Sequence, residues 1–215
     1  MRGNGVPGAE GHPNRRHLTQ DDYTRMLLPE RYWDSTWKDV RELPFKHVIE
    51  NFLHKLDEAL AEGWGLFLYG PPSSGKTSLA SIVAKEAARR GKTVLFMNTS
   101  EYMELRTIPF DEIENESFEK RAKMVDLLVL DEVDIKMMAP GERRELHEIV
   151  RVRIDHRKST ILTTNDPGES LTEVCGPEFV SLLKGSIVAV NVRGYDFREE
   201  ERKRIESSLL EETGG

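Results

Sequence analysis

Three short stretches carry residue types that could act on a polyphosphate. The first is Gly70-Pro71-Pro72-Ser73-Ser74-Gly75-Lys76-Thr77, which follows the apolar run Leu66-Phe67-Leu68-Tyr69 and opens into Ser78-Leu79-Ala80-Ser81-Ile82-Val83-Ala84. The order is strand, phosphate loop, helix. Two glycines let the backbone turn so that successive N–H groups point inward, and the helix aims the positive end of its dipole at the same place. Gly70 to Ser78 form the expected nucleotide-binding set. Within it, Lys76 is placed to reach the β- and γ-phosphates and the Thr77 hydroxyl to ligate a magnesium ion.

The second stretch is the apolar run Leu127-Leu128-Val129-Leu130 ending in Asp131-Glu132. Asp131 is expected to hold the magnesium ion, through water, and Glu132 to orient and deprotonate an attacking water. The third is Ser159-Thr160-Ile161-Leu162-Thr163-Thr164, ending in Asn165, which could hydrogen-bond that water or the γ-phosphate and report its presence. Taken alone, two acids at a strand end cap a turn, and an Asn before Asp-Pro-Gly is a turn residue. A phosphate loop on the same sheet edge turns the acid pair toward chemistry, because ligands of open α/β sheets bind outside the carboxyl ends of the strands.

These stretches need elements to hold them. Phe45, Val48, Ile49, Phe52, Leu53, Leu56 and Leu60 recur at three- and four-residue steps, which predicts one amphipathic helix between Pro44 and Gly63. The helix after the phosphate loop should run to about Arg90, where Gly91 stops it, and Thr93 to Met97 is a β-rich run that completes a βαβ unit. Two helical pieces broken at Ile108-Pro109 are expected over 100–123, a helix from Glu142 to about His156, two short helical turns over 168–185 and a last strand at 187–192. The fold class is α/β with a parallel sheet. Four segments follow: a disordered tail over 1–19, poor in aliphatic side chains; a lead-in over 20–44, with the turn Leu28-Pro29-Glu30-Arg31-Tyr32-Trp33; a core over 45–198; and a charged tail over 199–215.

Composition narrows the class. The chain has 215 residues, enough for one domain, with 38% apolar and 32% charged residues. No apolar run approaches the roughly 18 residues that cross a bilayer, which predicts no membrane association. Cys175 is the single cysteine, so no internal disulfide forms, and a reducing cytoplasm fits. A net charge of −7 excludes a uniformly basic nucleic-acid binder and leaves room for a local contact. For single-stranded DNA the candidates are Tyr102 as a stacking face, with Arg106, Lys120, Arg121 and Lys123. Glu101, Glu104, Glu116 and Glu119 interleave with them, the pattern of an ordinary solvated helix.

GPPSSGKTS, LLVLDE and STILTTN, in this order and spacing, resemble the Walker A, Walker B and sensor 1 segments of AAA+ ATPases. LLPERYWDSTWKDV, and the pairing of FMNTSEYMELR with a charged helix before LLVLDE, resemble the DnaC/IstB group of helicase loaders and transposition helpers. The resemblance runs from about Leu28 to Arg198. It implies a P-loop NTPase three-layer sandwich with a five-stranded parallel sheet in the order 5-1-4-3-2; as a departure from many AAA+ proteins, the residues after 178–184 are too few for a full helical lid. It also implies ATP and Mg²⁺ as cofactors, hydrolysis of ATP, ATP-dependent homo-oligomers, and a replicative helicase or a transposase as partner on single-stranded DNA. One departure bears on turnover. Related loaders carry arginines in the segment corresponding to Glu178-Phe179-Val180-Ser181-Leu182-Leu183-Lys184, where only Lys184 is cationic here. An arginine finger is worth about a thousandfold or more, so slow hydrolysis, or a nucleotide switch with little of it, is expected. Arg143, Arg144 and Arg157 are the other candidates for a finger.

Overall fold

The computed structural model describes residues 6–8, 12–13, 15–40, 44–105, 118–166, 171–193, 202–203, 205–207 and 209. Helix α1 (Gln20–Arg25) is closed by a capping box between Thr19 and Asp22, and two 3₁₀ turns, Glu30–Tyr32 and Trp37–Asp39, lead on. Then come α2 (Lys46–His54), α3 (Leu56–Glu62), β1 (Gly65–Tyr69), α4 (Lys76–Arg89) and β2 (Val94–Asn98). They are followed by α5 (Thr99–Leu105), α6 (Phe118–Met124), β3 (Leu127–Asp131), α7 (Pro140–Asp155), β4 (Ser159–Thr164), α8 (Leu171–Leu183) and β5 (Ile187–Asn191).

All five strands are parallel, in the order β2-β3-β4-β1-β5. Read from the other edge, this is the order that the resemblance implies. Parallel strands need crossovers, and the helices between them cover both faces. Because side chains alternate along a strand, Leu66 and Leu68 join Phe96, Leu127, Val129 and Ile161 in the core beneath α2, α3 and α4. Phe67 and Tyr69 join Leu95, Met97, Leu128 and Leu130 in a second core beneath α5 to α8. The result is a three-layer sandwich. Among the described residues no helical bundle follows β5, and none of their helices is long and apolar enough to cross a membrane.

Two expectations change. The single helix over 45–60 is two, broken at Lys55, where the buried guanidinium of Arg90 takes the Leu53 carbonyl at 3.3 Å and the Asp57 carboxylate at 2.7 Å. A carbonyl held from the side leaves the helical ladder. The tail over 1–19 is not free of structure where it is described. Arg15 reaches the fully buried Glu86 at 3.2 Å, the Arg16 N–H donates to Arg89 O, and His12 pairs with Asp57. Charge partners on α3 and α4 supply what the tail's missing aliphatic side chains do not. The expected break at Ile108-Pro109 lies outside the described residues, as does most of the tail over 199–215.

Candidate functional site

The carboxyl ends of β1, β3 and β4 bring the three chemical stretches together. At the end of β1, Gly70 has φ of 147°, and a Cβ there would meet Val192 O at 2.3 Å. Ser73 and Gly75 are left-handed, with φ of 63° and 93°, so the loop folds back on itself before α4 begins. Pro71, Pro72, Ser73 and Ser74 form its arch. Lys76 is buried, and its Nζ donates to Gly70 O at 3.0 Å, Pro71 O at 2.7 Å and Ser74 Oγ at 3.2 Å. The ammonium therefore lies inside the loop. This is a cation inside backbone amides at the N-terminus of a 14-residue helix, a donor set that fits a polyphosphate.

At the second residue of α4, the Thr77 hydroxyl donates to Asp131 Oδ1 at 3.0 Å. Asp131, buried at the end of β3, also accepts from the Thr163 hydroxyl, while the Thr99 hydroxyl holds its main-chain carbonyl at 2.9 Å. Burial pushes the Asp131 carboxyl above its ordinary range; the Thr163 and Thr77 hydroxyls oppose that, the neighbouring Glu132 adds to it, and Arg31 opposes it. Two hard oxygens at this separation fit Mg²⁺. Thr77 and Asp131 would hold the ion, which when bound would draw charge from the phosphate oxygens.

Glu132 leaves the strand with φ of 58°, a strained value for a residue with a Cβ. Thr163 fixes this turn by accepting the Glu132 N–H at 3.0 Å through its hydroxyl and the Val133 N–H at 2.7 Å through its carbonyl. The Glu132 carboxylate is thereby exposed at the rim, where Asn98 Nδ2 donates to it at 2.6 Å. Asn165 is exposed one residue beyond β4 and shares with Glu132 a depression of about 550 Å³, which Asp134, Lys136 and Asp166 also line. A smaller pocket of about 200 Å³ lies beside Gly75 and Ser78, walled by Thr36, Val40, Phe45 and Leu79.

Sequence reasoning missed Thr163 and Asn98. Each had a signal, a polar residue at a strand end, and the register of Asn98 against Asp131 places it beside the acids. The expected DNA surface is corrected in part. Tyr102 is only 2% exposed, packed into the second core against Phe118, so it offers no stacking face. Lys123 pairs with Glu119 and Glu148, Arg121 donates to Arg25 O, and Lys120 is exposed. Arg106 lies outside the described residues.

In the segment after the kink of α8 at Gly176, Phe179 is fully buried, Leu182 packs on the core and Lys184 is exposed. Arg143, Arg144, His147 and Arg151 line a groove of about 680 Å³ along α7, with Glu148 and Glu178. Arg157 sits at the other end of α7, 3.5 Å from Glu62. Cys175 is buried, and burial pushes its thiol up to about 11.

Residues 51–182 match the family described as IstB-like ATP binding protein. An insertion-sequence ATP-binding protein of Sinorhizobium fredii is 31% identical over 111 residues, 52% of this chain and 37% of that protein. The replicative helicase loader DnaC of Escherichia coli is 27% identical over 117 residues, 54% of this chain and 48% of that protein. The chain thus matches half or less of the length of these curated relatives. The crystal structure of the DnaC helicase loader superposes with a TM-score of 0.65 at 24% identity, covering 77% of this chain and 100% of that one. At that identity the likeness is one of fold, the AAA+ P-loop sandwich.

Proposed function

Because the chain belongs to the IstB-like ATP-binding protein family, we propose that it binds ATP with Mg²⁺ at Gly70 to Ser78 and hydrolyses it slowly. The observation that carries this reading is the convergence of Thr77 and Asp131, 3.0 Å apart at the mouth of the loop, with Glu132 exposed beside them. Glu132 takes a proton from water as the water oxygen bonds to the γ-phosphorus. The bond from that phosphorus to the β,γ-bridging oxygen breaks, and ADP leaves with the electron pair. Lys76 turns from the Gly70 and Pro71 carbonyls to the phosphate oxygens. Asn165 orients the water from the far side.

Turnover is slow because the segment 178–184 holds Phe179 and Leu182 in the core and offers a neighbour only Lys184. An ammonium cannot make the forked contact of a guanidinium. ATP then acts chiefly as a binding signal that stabilises one assembly state. In the cytoplasm that state would engage a replicative helicase, the partner named for the DnaC relative, on single-stranded DNA. A transposase is the second reading, favoured by the family match and by the 31% identical insertion-sequence relative. DNA would meet the exposed Lys120 or the basic groove of α7.

The test is calorimetric titration with MgATP and MgGTP, then ATPase rates across protein concentration with and without single-stranded DNA. Co-purification with a replicative helicase supports the first reading and with a transposase the second. Absence of MgATP binding overturns both.

A further inference from the structure

The phosphates of a bound nucleotide gather negative charge, and within the phosphate loop, Gly70 to Thr77, Lys76 is the one cation against it. Another cation is brought to this edge from the lead-in. Lys85, buried two and a half turns along α4 from Lys76, donates to Tyr32 O at 2.7 Å, Trp33 O at 2.9 Å and Ser35 O at 2.5 Å. Trp33 Nε1 closes the preceding turn on Leu28 O at 2.9 Å, and its ring stacks on Tyr23 at 5.1 Å. The stretch 28–35 is therefore fastened to the helix that begins at the phosphate loop.

Fastened there, the lead-in lies against the phosphate loop, since Ser35 and Thr36 line one pocket with Ser74, Gly75 and Ser78. Thr77, Asp131 and Glu132 all act on the Tyr32 hydroxyl, and Thr77 in turn holds Asp131. The Arg31 guanidinium lies over the Tyr32 ring, 4.7 Å from its centroid, close enough that its charge acts on both Tyr32 and Asp131. It is exposed, and among the described residues it makes no ion pair. A guanidinium stacked on an aromatic face keeps its forked edge free for an oxyanion.

We propose that Arg31 is a phosphate-binding residue acting in cis, its guanidinium contacting the β- and γ-phosphate oxygens of the nucleoside triphosphate held by Lys76 and Thr77, with Tyr32 as the platform that aims it. This rests on the ATPase reading above. It places in the lead-in of the same chain part of the positive charge that the segment 178–184 does not supply. The contact strengthens as charge spreads over the transferred group, so it favours triphosphate over diphosphate and the transition state over both.

Arg31→Ala and Arg31→Lys, in the full chain, test it. Readouts are MgATP and MgADP affinities by calorimetry, and single-turnover hydrolysis at several protein concentrations. Arg31→Ala should weaken MgATP at least about fivefold more than MgADP and slow hydrolysis about tenfold or more, equally at every concentration. Arg31→Lys should recover part of the affinity and little of the rate. The unfolding midpoint should stay within about a degree, since the side chain is exposed. A parent affinity ratio and parent rate in Arg31→Ala would make Arg31 a solvated surface residue and overturn the proposal, leaving the ATPase reading intact. A parent that binds no MgATP would overturn that reading and the proposal with it. If the parent binds without turnover, the affinity ratio decides. Mixing with Lys76→Ala protein, which carries an intact Arg31, should not restore hydrolysis, and restoration would overturn the cis assignment.

Discussion

Asn98 Nδ2 donates to Glu132 Oε2 across 2.6 Å, joining the end of β2 to the acid beyond the end of β3. The bond fixes the direction of the carboxylate toward β2, so Glu132 must leave it before it can take a proton from water. A side-chain hydrogen bond is worth about 1 kcal/mol. Asn98→Ala should therefore raise basal ATP hydrolysis about fivefold, with MgATP affinity unchanged. A rate at or below that of the parent would show that Asn98 positions the base productively. Glu132→Gln keeps the shape without the base, and hydrolysis should fall about a hundredfold or more while MgATP still binds.

Lys76→Ala removes the cation inside the loop, and MgATP binding should become undetectable by calorimetry. The three oxygens that Lys76 contacts, two carbonyls and the Ser74 hydroxyl, belong to the loop itself, so the loss is confined there and the fold should survive. An affinity equal to the parent's would mean that the phosphates lie elsewhere.

Asp131 makes stability and function oppose each other. Its folded-state pKa is raised, chiefly by burial, above an unfolded value of about 3.9. The folded chain then holds the proton more tightly than the unfolded chain does. Stability from this group falls as pH rises from the unfolded value through the raised one, and the deficit persists at neutral pH. Asp131→Asn should raise the nucleotide-free midpoint by about 2–4 °C at pH 7.5, the size of a ~1 kcal/mol gain in a chain of this length. The gain should shrink as pH falls through the raised pKa, and the Mg²⁺-dependent stabilisation by ATP should disappear. A lower midpoint at pH 7.5 would mean that the Thr77 and Thr163 contacts to the carboxylate outweigh burial.

Lys85→Met deletes the donor shared by three lead-in carbonyls. Each buried acceptor left unsatisfied costs about 1–3 kcal/mol, so the midpoint should drop by about 6 °C or more. Limited proteolysis should cut within residues 20–44 before it cuts the core. Parent-like protease resistance would show that the stacking of Tyr23 on Trp33 holds the lead-in without Lys85.

For DNA, two surfaces compete. Charge reversal of Arg144 and Arg151 on the α7 groove should weaken single-stranded DNA binding about tenfold and flatten its salt dependence. Reversal of Arg121 and Lys123 should do less, because Lys123 already faces Glu119 and Glu148. The reverse ranking in fluorescence titrations would return the contact to α6.

The phosphate loop, the acids after β3 and the alternation of strands with helices were legible in the residues themselves. Each is a local pattern: two glycines before a helix, an apolar run with carboxylates at its end, apolar positions at a helical or a strand period. The partners of those groups were not legible in this way. Thr163 and Asn98 reach Asp131 and Glu132 because parallel register aligns strand ends that lie more than thirty residues apart in the chain. The expected helix over 45–60 broke at Lys55, where Arg90, just past the end of α4, claims the Leu53 carbonyl. Tyr102 looked available for stacking because a helix's own sequence does not say which of its faces meets the sheet; packing of α5 on β2 and β3 turned it into the second core. Arg31 read as part of a turn, and only the Lys85 clamp, formed between residues some fifty apart, sets it beside the nucleotide edge. Local chemistry follows from neighbours in the chain, whereas which side chains complete it depends on contacts that exist only once the sheet has closed.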